Sequence, residues 1–105
     1  MGKLRNWDHG NMFDECDFQD GDEPKNYFDL HYGTTVQVMG KTDPKVPVIL
    51  QFSMDEVHWH DGPIIEPKDN GDFERRESDV IARYVRIKPT APTKITATLM
   101  GKVTP

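Results

Sequence analysis

The stretch Val48-Ile49-Leu50-Gln51-Phe52-Ser53-Met54-Asp55-Glu56-Val57-His58-Trp59 contains an apolar run, a polar turn and a tryptophan in close succession. Every second side chain from Val48 to Phe52 falls on one face of an extended strand, because successive side chains of a strand point to opposite faces. Ser53 and Asp55 can bond their own backbone, which stabilises a turn. We expect Trp59 to return toward the core on the next strand. The stretch therefore predicts a β-sandwich hairpin and favours a binding or assembly module over a catalytic motif.

Short segments of this kind recur along the chain, with turn residues between them. Eight glycines and eight prolines favour many short elements over long helices, and 105 residues fit one domain. Segment 73–81 fits either a short helical turn or a solvated loop, and we favour the loop. Segment 67–72 is interpreted as an exposed loop, and 61–63 and 40–45 as turns. The predicted strands are Thr34–Met39, Val46–Ser53, His58–His60, Ala82–Lys88 and Lys94–Met100. This spacing predicts an all-β, antiparallel sandwich or barrel.

The apolar side chains that alternate onto one face of these strands form the predicted core. Its members are Val36, Val38, Leu50, Phe52, Trp59, Tyr84, Val85, Ile87, Ile95 and Leu99.

Residues 1–30 differ from the rest in composition, and we predict an extended acidic N-terminal arm there, followed by a sandwich domain over 31–105. Between Asn6 and Pro24 the chain carries seven acids and no lysine or arginine. A purely disordered tail would hold fewer aromatic residues than this segment does. Such an arm lies either on its own sandwich or on a neighbouring subunit. The predicted partner-binding anchors are Trp7, Phe13, Phe18, Tyr27 and Phe28.

The second half of the chain carries basic residues that complement the acidic arm. Strand alternation places Arg83 on the face of Val85 and Ile87, and Arg86 on the face of Tyr84 and Lys88. We expect one arginine at the rim of the core, where it needs a carboxylate partner. The alternative is ordinary surface charge, which contributes about 0–1 kcal/mol per pair. The predicted inter-subunit charges are Asp14, Asp17, Asp20, Arg75, Arg76 and Arg86.

Two groups of residues are weak candidates for metal ions. His58 and His60 flank Trp59 and suit Zn or Ni, but a site needs at least one more ligand, and the alternative is a solvated strand face. The carboxylates around Gly21 are of the kind that calcium prefers, but their spacing does not match a calcium-binding loop, and a solvated arm is the favoured interpretation. We predict no metal and no cofactor.

Several function classes find no support in the sequence. The net charge of −5 disfavours nucleic acid, and no apolar run is long enough for a membrane span. Met1–Arg5 lacks the apolar stretch of a secretory signal. The single Cys16 excludes an internal disulfide and indicates a reducing compartment, and its acidic neighbours raise the pKa of a thiol. No phosphate-binding loop, Gly-x-Ser-x-Gly or His-Glu-x-x-His motif occurs, so we do not expect an enzyme.

The order of the strand motifs resembles the discoidin-like jelly roll, which galactose-binding modules share. The similarity covers 34–102 and rests on Leu50–Asp55, His58-Trp59, Ala82–Ile87 and a final strand that ends at Gly101. Small bacteriophage virion proteins carry a compressed form of this pattern, and the chain resembles that form. One departure is Glu56, which stands where that family's turn usually has glycine.

This resemblance implies a structural virion protein of a bacteriophage, such as a capsid decoration (cement) protein or a head–tail accessory protein. The expected partners are viral capsid or tail proteins and further copies of the chain, without nucleic acid or membrane. The expected location is the virion, after synthesis in the host cytoplasm. The alternative is a carbohydrate-binding module that holds a glycan through Trp59, His58, His60 and Asp61.

Overall fold

Two antiparallel four-stranded sheets make up the computed structural model, which describes residues 7–19, 21–24, 26–30 and 34–102, and side chains from residue 17 to residue 101 of these. No helix occurs in those ranges. Sheet A has the order β1-β8-β3-β6 and sheet B the order β2-β7-β4-β5. The strands are β1 (Trp7–Phe18), β2 (Phe28–Asp29), β3 (Thr35–Asp43), β4 (Val48–Ser53), β5 (His60–Ile65), β6 (Asp72–Glu77), β7 (Tyr84–Pro89) and β8 (Thr93–Lys102). The all-β, two-sheet prediction is confirmed.

The strand pairings are nested around the connection between β4 and β5. β4 pairs with β5, β3 with β6, β2 with β7 and β1 with β8, all antiparallel. The chain therefore runs as one long hairpin that folds back on itself strand by strand. β8 also pairs with β3 and β7 with β4, so the hairpin is rolled into two facing sheets.

The core lies between the two sheets and consists of side chains from alternate strand positions. Its fully enclosed members include Val36, Val38, Leu50, Val85, Ile87, Ile95 and Leu99, each predicted from strand alternation. Phe52 is half-buried and packs against this cluster.

Trp59 and Tyr84 were wrongly predicted to be core residues. Trp59 precedes β5 instead of lying within a strand, and it is half-buried. Tyr84 is also half-buried and alternates with the enclosed Val85, so it faces away from the core. Both aromatic rings lie on the outer face of sheet B.

Three segments predicted as loops or turns are strands. Segment 72–77 forms the edge strand β6, in which Phe73 is the apolar residue that enters the core. Charged residues are common on edge strands because they oppose pairing with other chains, and here they hid the strand pattern. β3 continues to Asp43, and β5 includes the predicted stop at 61–63.

Close packing accounts for a glycine inside one of these strands. A Cβ at Gly40 would lie 2.7 Å from the Phe73 ring and 2.3 Å from the carbonyl oxygen of Thr96. Glycine is therefore needed inside β3 for a close approach rather than for a turn.

The described residues between 7 and 30, here called the arm segment, lie on the sheets of their own chain. β1 is an edge strand of sheet A beside β8, and β2 is an edge strand of sheet B beside β7. Phe18 and Phe28 belong to the core, whereas Tyr27 is exposed at the surface. The side chains of Trp7 and Phe13 lie outside the described residues, and their role as anchors stays a prediction.

We expect Leu50→Ala to lower the free energy of unfolding by about 2–5 kcal/mol, because it opens a cavity between the sheets. Urea denaturation followed by circular dichroism measures this change. The matched control is Ile81→Ala, at a side chain that is 92% exposed; its effect should stay within about 0.5 kcal/mol. An unchanged midpoint for Leu50→Ala would contradict the strand register.

Candidate binding surface

A row of hydrogen-bonded side chains crosses the outer face of sheet B. Glu23 accepts a hydrogen bond from Nη2 of Arg86 at 2.9 Å, and Nε of Arg86 donates to Oε1 of Gln51 at 2.7 Å. Nε2 of Gln51 then donates to Oδ1 of Asp61 at 2.8 Å. Strand pairing creates this order, because Arg86 is the register partner of Gln51 and Gln51 that of Asp61. We call Glu23, Arg86, Gln51 and Asp61 the polar row.

Arg86 is the most enclosed charged group of the polar row, with a side chain that is 8% exposed. Its guanidinium lies 4.2 Å from the centre of the Trp59 ring, and Nη1 donates to the Pro24 carbonyl at 3.4 Å. Burial lowers the pKa of Arg86, and hydrogen bonding to Glu23 opposes that change. An arginine stays charged in a protein, so a guanidinium buried this far requires a carboxylate. Strand alternation placed Arg83 toward the core, but Arg83 is 44% exposed, and the enclosed arginine is Arg86 on the outer face of sheet B. Its carboxylate partner Glu23 belongs to the same chain.

Glu23 joins the arm segment to two basic residues of β7. Its second carboxylate oxygen accepts a hydrogen bond from Nζ of Lys88 at 2.7 Å. The pKa of Glu23 lies below its ordinary value, mainly because Lys88 donates this bond, with a further contribution from Arg86. Asp29 makes a second link of this kind, since its two oxygens accept bonds from Arg83 at 3.2 and 3.3 Å.

Three aromatic rings continue the surface beyond Arg86. Tyr27 meets Tyr84 edge to face at 5.4 Å between ring centres, and it is tilted against Trp59 at 5.8 Å. The Tyr27 hydroxyl donates to the Glu56 carboxylate, and this bond is the main cause of the raised pKa of Tyr27 and the lowered pKa of Glu56. The rings thus hold the arm segment against the turn after β4.

The turn after β4 has the side-chain bonding that the sequence predicts. Oγ of Ser53 accepts the backbone N–H groups of Asp55 and Glu56 at 3.2 and 3.1 Å. Asp55 accepts bonds from the backbone and from Nδ1 of His58 at 2.6 Å, and the His58 bonds hold the pKa of Asp55 well below its ordinary value. Glu56 has φ of 70°, the left-handed conformation that favours glycine.

The two histidines considered as metal ligands lie in different elements. His58 bonds to Asp55 ahead of the strand, whereas His60 is exposed at the start of β5 opposite Phe52. The prediction that both histidines lie on one strand is therefore wrong. In the part of the chain that the structure describes, no three His, Cys, Asp or Glu side chains are grouped as a metal site would require.

Several predicted inter-subunit charges have partners within the chain. Arg75 pairs with Glu77 at 2.6 Å, and Nε of Arg76 donates to Gln37 at 3.0 Å. Asp17 is exposed on β1. The side chain of Asp14 and all of Asp20 lie outside the described residues. Contacts between subunits through these groups stay a prediction.

A cleft of about 370 Å³ lies beside the polar row. Gln51, Asp61 and Lys88 supply its polar wall, and the turn after β7 closes the opposite side. Its apolar lining comes from Phe18, Ile49, Pro89 and Ala91. The cleft combines an apolar floor with hydrogen-bonding groups of both charges, which is the composition of many small-ligand sites.

One end of the sandwich exposes apolar side chains. Met54 is 68% exposed, Val57 is 72% exposed and Ile81 is 92% exposed. A backbone bond from Arg83 to the Ser53 carbonyl, at 3.1 Å, holds the two loops together. We call Met54, Val57 and Ile81 the apolar tip. Exposed apolar side chains on neighbouring loops are common at contact surfaces.

Comparison of the chain with models of known protein families, with curated proteins and with solved structures gives no match. The described residues include no helix that is long and apolar enough to cross a membrane.

Sequence analysis identified Arg86 and Asp61 but missed how they are connected. Glu23 was assigned to a solvated arm, and Gln51 was not singled out. The available signal was the charged Arg86 between the apolar Val85 and Ile87. A residue in that position lies on the outer face of the strand and needs a partner that covers it. Only the strand register shows that Gln51 and Asp61 follow Arg86 across the sheet.

We expect Glu23→Gln to destabilise the chain by about 1.5–3 kcal/mol, the range for hydrogen bonds to charged groups, and toward the lower end because Glu23 is 64% exposed. The comparison variant Glu74→Gln, on the exposed face of β6, should change the free energy of unfolding by less than about 0.5 kcal/mol. Because the pKa of Glu23 is lowered in the fold, its contribution is present above the unfolded pKa and is lost as the pH falls through the folded pKa. Denaturation at several pH values measures both effects, and equal stability of the two variants at neutral pH would contradict the role of Glu23.

Proposed function

We propose that this protein is a non-catalytic structural component of a bacteriophage particle, either a capsid decoration protein or a head–tail accessory protein. In this proposal it binds neighbouring viral subunits and further copies of itself. The observation that carries the proposal is the nested order of eight strands, combined with an exposed apolar tip.

The strand order supports assignment of the sandwich to the jelly-roll type. A jelly roll has eight strands in two sheets, and viral capsid and lectin domains use it. Pairing of β1 with β8, β2 with β7, β3 with β6 and β4 with β5 is the order expected when one long hairpin is rolled up. The fold alone does not define a function, so the surface has to carry the rest of the argument.

The turn after β4 adds support for the resemblance to small virion proteins. Ser53 and Asp55 make the expected turn bonds, and Glu56 adopts the left-handed conformation at the position of the family's glycine. A non-glycine residue in that conformation costs about 1–2 kcal/mol, and the bond from Tyr27 to Glu56 offsets part of this cost.

The apolar tip is the surface that best fits contact with another subunit. Met54, Val57 and Ile81 project from two loops at one end of the sandwich, and a neighbour would remove their apolar area from water. Burial of a side chain of this kind contributes about 1.5–3 kcal/mol. The polar row and the aromatic rings, by contrast, bond largely within the chain.

The direct test is mass spectrometry of phage particles that have been purified from cells carrying the gene. We expect peptides of this protein in particle fractions at a fixed ratio to the major capsid or tail protein. The substitution Ile81→Asp should reduce that ratio at least tenfold while thermal unfolding of the purified protein is unchanged, and Lys68→Ala is the surface control. Absence of the protein from particles that contain their other structural proteins would overturn the proposal.

A carbohydrate-binding module is the second candidate, and the cleft beside the polar row favours it. Asp61 and Lys88 can hydrogen-bond to sugar hydroxyls while Ile49 packs against an apolar sugar face. Of the residues first proposed for a glycan, Asp61 is the one that lines this cleft. Saturable glycan binding that Asp61→Ala abolishes, and that His58→Ala with His60→Ala leaves intact, would favour this alternative.

A further inference from the structure

The described residues form a body, residues 34–102, and the arm segment, residues 7–19, 21–24 and 26–30, which lies along one side of it. The body contributes three strands to each sheet, namely β8, β3 and β6 in sheet A and β7, β4 and β5 in sheet B. The side chains that are fully enclosed belong to β3, β4, β7 and β8. The arm segment adds one edge strand to each sheet, so the central core packing is made by the body.

Apolar anchors fix the arm segment to the body. Phe18, Phe28 and Leu30 are buried in the core cluster. A Cβ at Gly101 of β8 would lie 2.6 Å from the Phe28 ring and 2.9 Å from the Leu30 side chain. The body therefore keeps a space at Gly101 into which the two anchors fit, as a protein surface does for a ligand.

A carboxylate anchor adds charge complementarity to this contact. Glu23 reaches Arg86 at 2.9 Å and Lys88 at 2.7 Å, and Gln51 and Trp59 of the body hold the guanidinium in place. The body thus presents a basic site beside an apolar one, and the arm segment presents the matching acid and aromatic groups.

The arm segment pairs with the body at nine register positions of β1 and at two of β2. β1 has register shifts between Asn11 and Phe13 and between Phe13 and Cys16, and β2 contains two residues. β3 and β8, in contrast, pair without a shift from Thr35 to Asp43. The pairing of β1 with β8 is therefore as long as that of β3 with β8, but it is interrupted twice.

We propose that the arm segment exchanges between copies of this chain, so that the arm of one copy occupies the β7 and β8 edges of another and supplies Glu23 to its Arg86. This inference rests on the proposed structural role, in which copies lie side by side. Addition of a strand to a sheet edge is an established mode of recognition, and exchange of identical elements keeps every contact of the closed form. An arm that is tethered to its own body is present there at an effective concentration in the millimolar range. Exchange therefore prevails where neighbouring copies are held at comparable or higher concentrations, as in an assembly.

Cross-linking at opposed positions of β1 and β8 distinguishes exchange from closed docking. Asp17 and Lys94 are exposed register partners, and such partners have Cβ atoms about 4.5–5.5 Å apart, near the distance that a disulfide requires. One chain carries Asp17→Cys and a nitrogen-15-labelled chain carries Lys94→Cys, both with Cys16→Ser. The two are mixed at about 1 mM, near the expected effective concentration, and then oxidised. We expect a disulfide between the differently labelled chains that decreases on dilution before oxidation.

The matched control replaces Lys94→Cys with Lys68→Cys, at an exposed site away from the arm segment. A single chain with both Asp17→Cys and Lys94→Cys should form the bond internally in dilute solution, which verifies that the variants fold and that the arm segment docks. If the mixed chains at about 1 mM give no more cross-link than the Lys68→Cys control while that internal bond forms, exchange is overturned. Particle composition is measured in a separate experiment. A failure of arm exchange therefore does not count against the proposed structural role.

Discussion

The buried guanidinium of Arg86 constrains the outer half of this structure. A charge that is removed from water in this way has to meet a carboxylate and further hydrogen-bond partners. Glu23 meets the first requirement, and Gln51 and the Pro24 carbonyl meet the second. One side chain of β7 therefore fixes the path of the arm segment and the orientation of a side chain on β4. Among the described residues, no buried side-chain nitrogen or oxygen lacks a partner, so this polar network is complete.

The two faces of sheet B consequently have different roles. Its inner face carries apolar side chains that pack against sheet A, and burial of apolar area stabilises that contact. Its outer face carries the polar row, three aromatic rings and the cleft. The arm segment covers part of this outer face, contributes Phe18 to the lining of the cleft and leaves the apolar tip exposed. Fold and surface are thus supported by different interactions, and a partner that binds the surface need not disturb the core.

Sequence reasoning succeeded where a strand has one apolar and one polar face. Val36 and Val38, and likewise Ile95 and Leu99, alternate with polar residues and are enclosed as expected. It failed at β6, where a charged edge strand places Phe73 in the core and exposes its neighbours. It also failed at Trp59, because the prediction assumed that a large apolar ring is buried in the core. Trp59 instead packs against Arg86, and that contact depends on strand register, which the sequence does not contain.

Hydrogen exchange of the full-length chain tests most directly whether the arm segment docks on a body that holds its own core. Contiguous units of a protein open with different free energies, and amide exchange measures each one. We expect the β1 and β2 amides to exchange through an opening of lower free energy than that of β3 and β4. Glu23→Gln should lower both free energies by a similar amount, because the bonds of Glu23 to Arg86 and Lys88 are lost in either opening. Equal free energies of opening for the arm segment and the body would contradict this account.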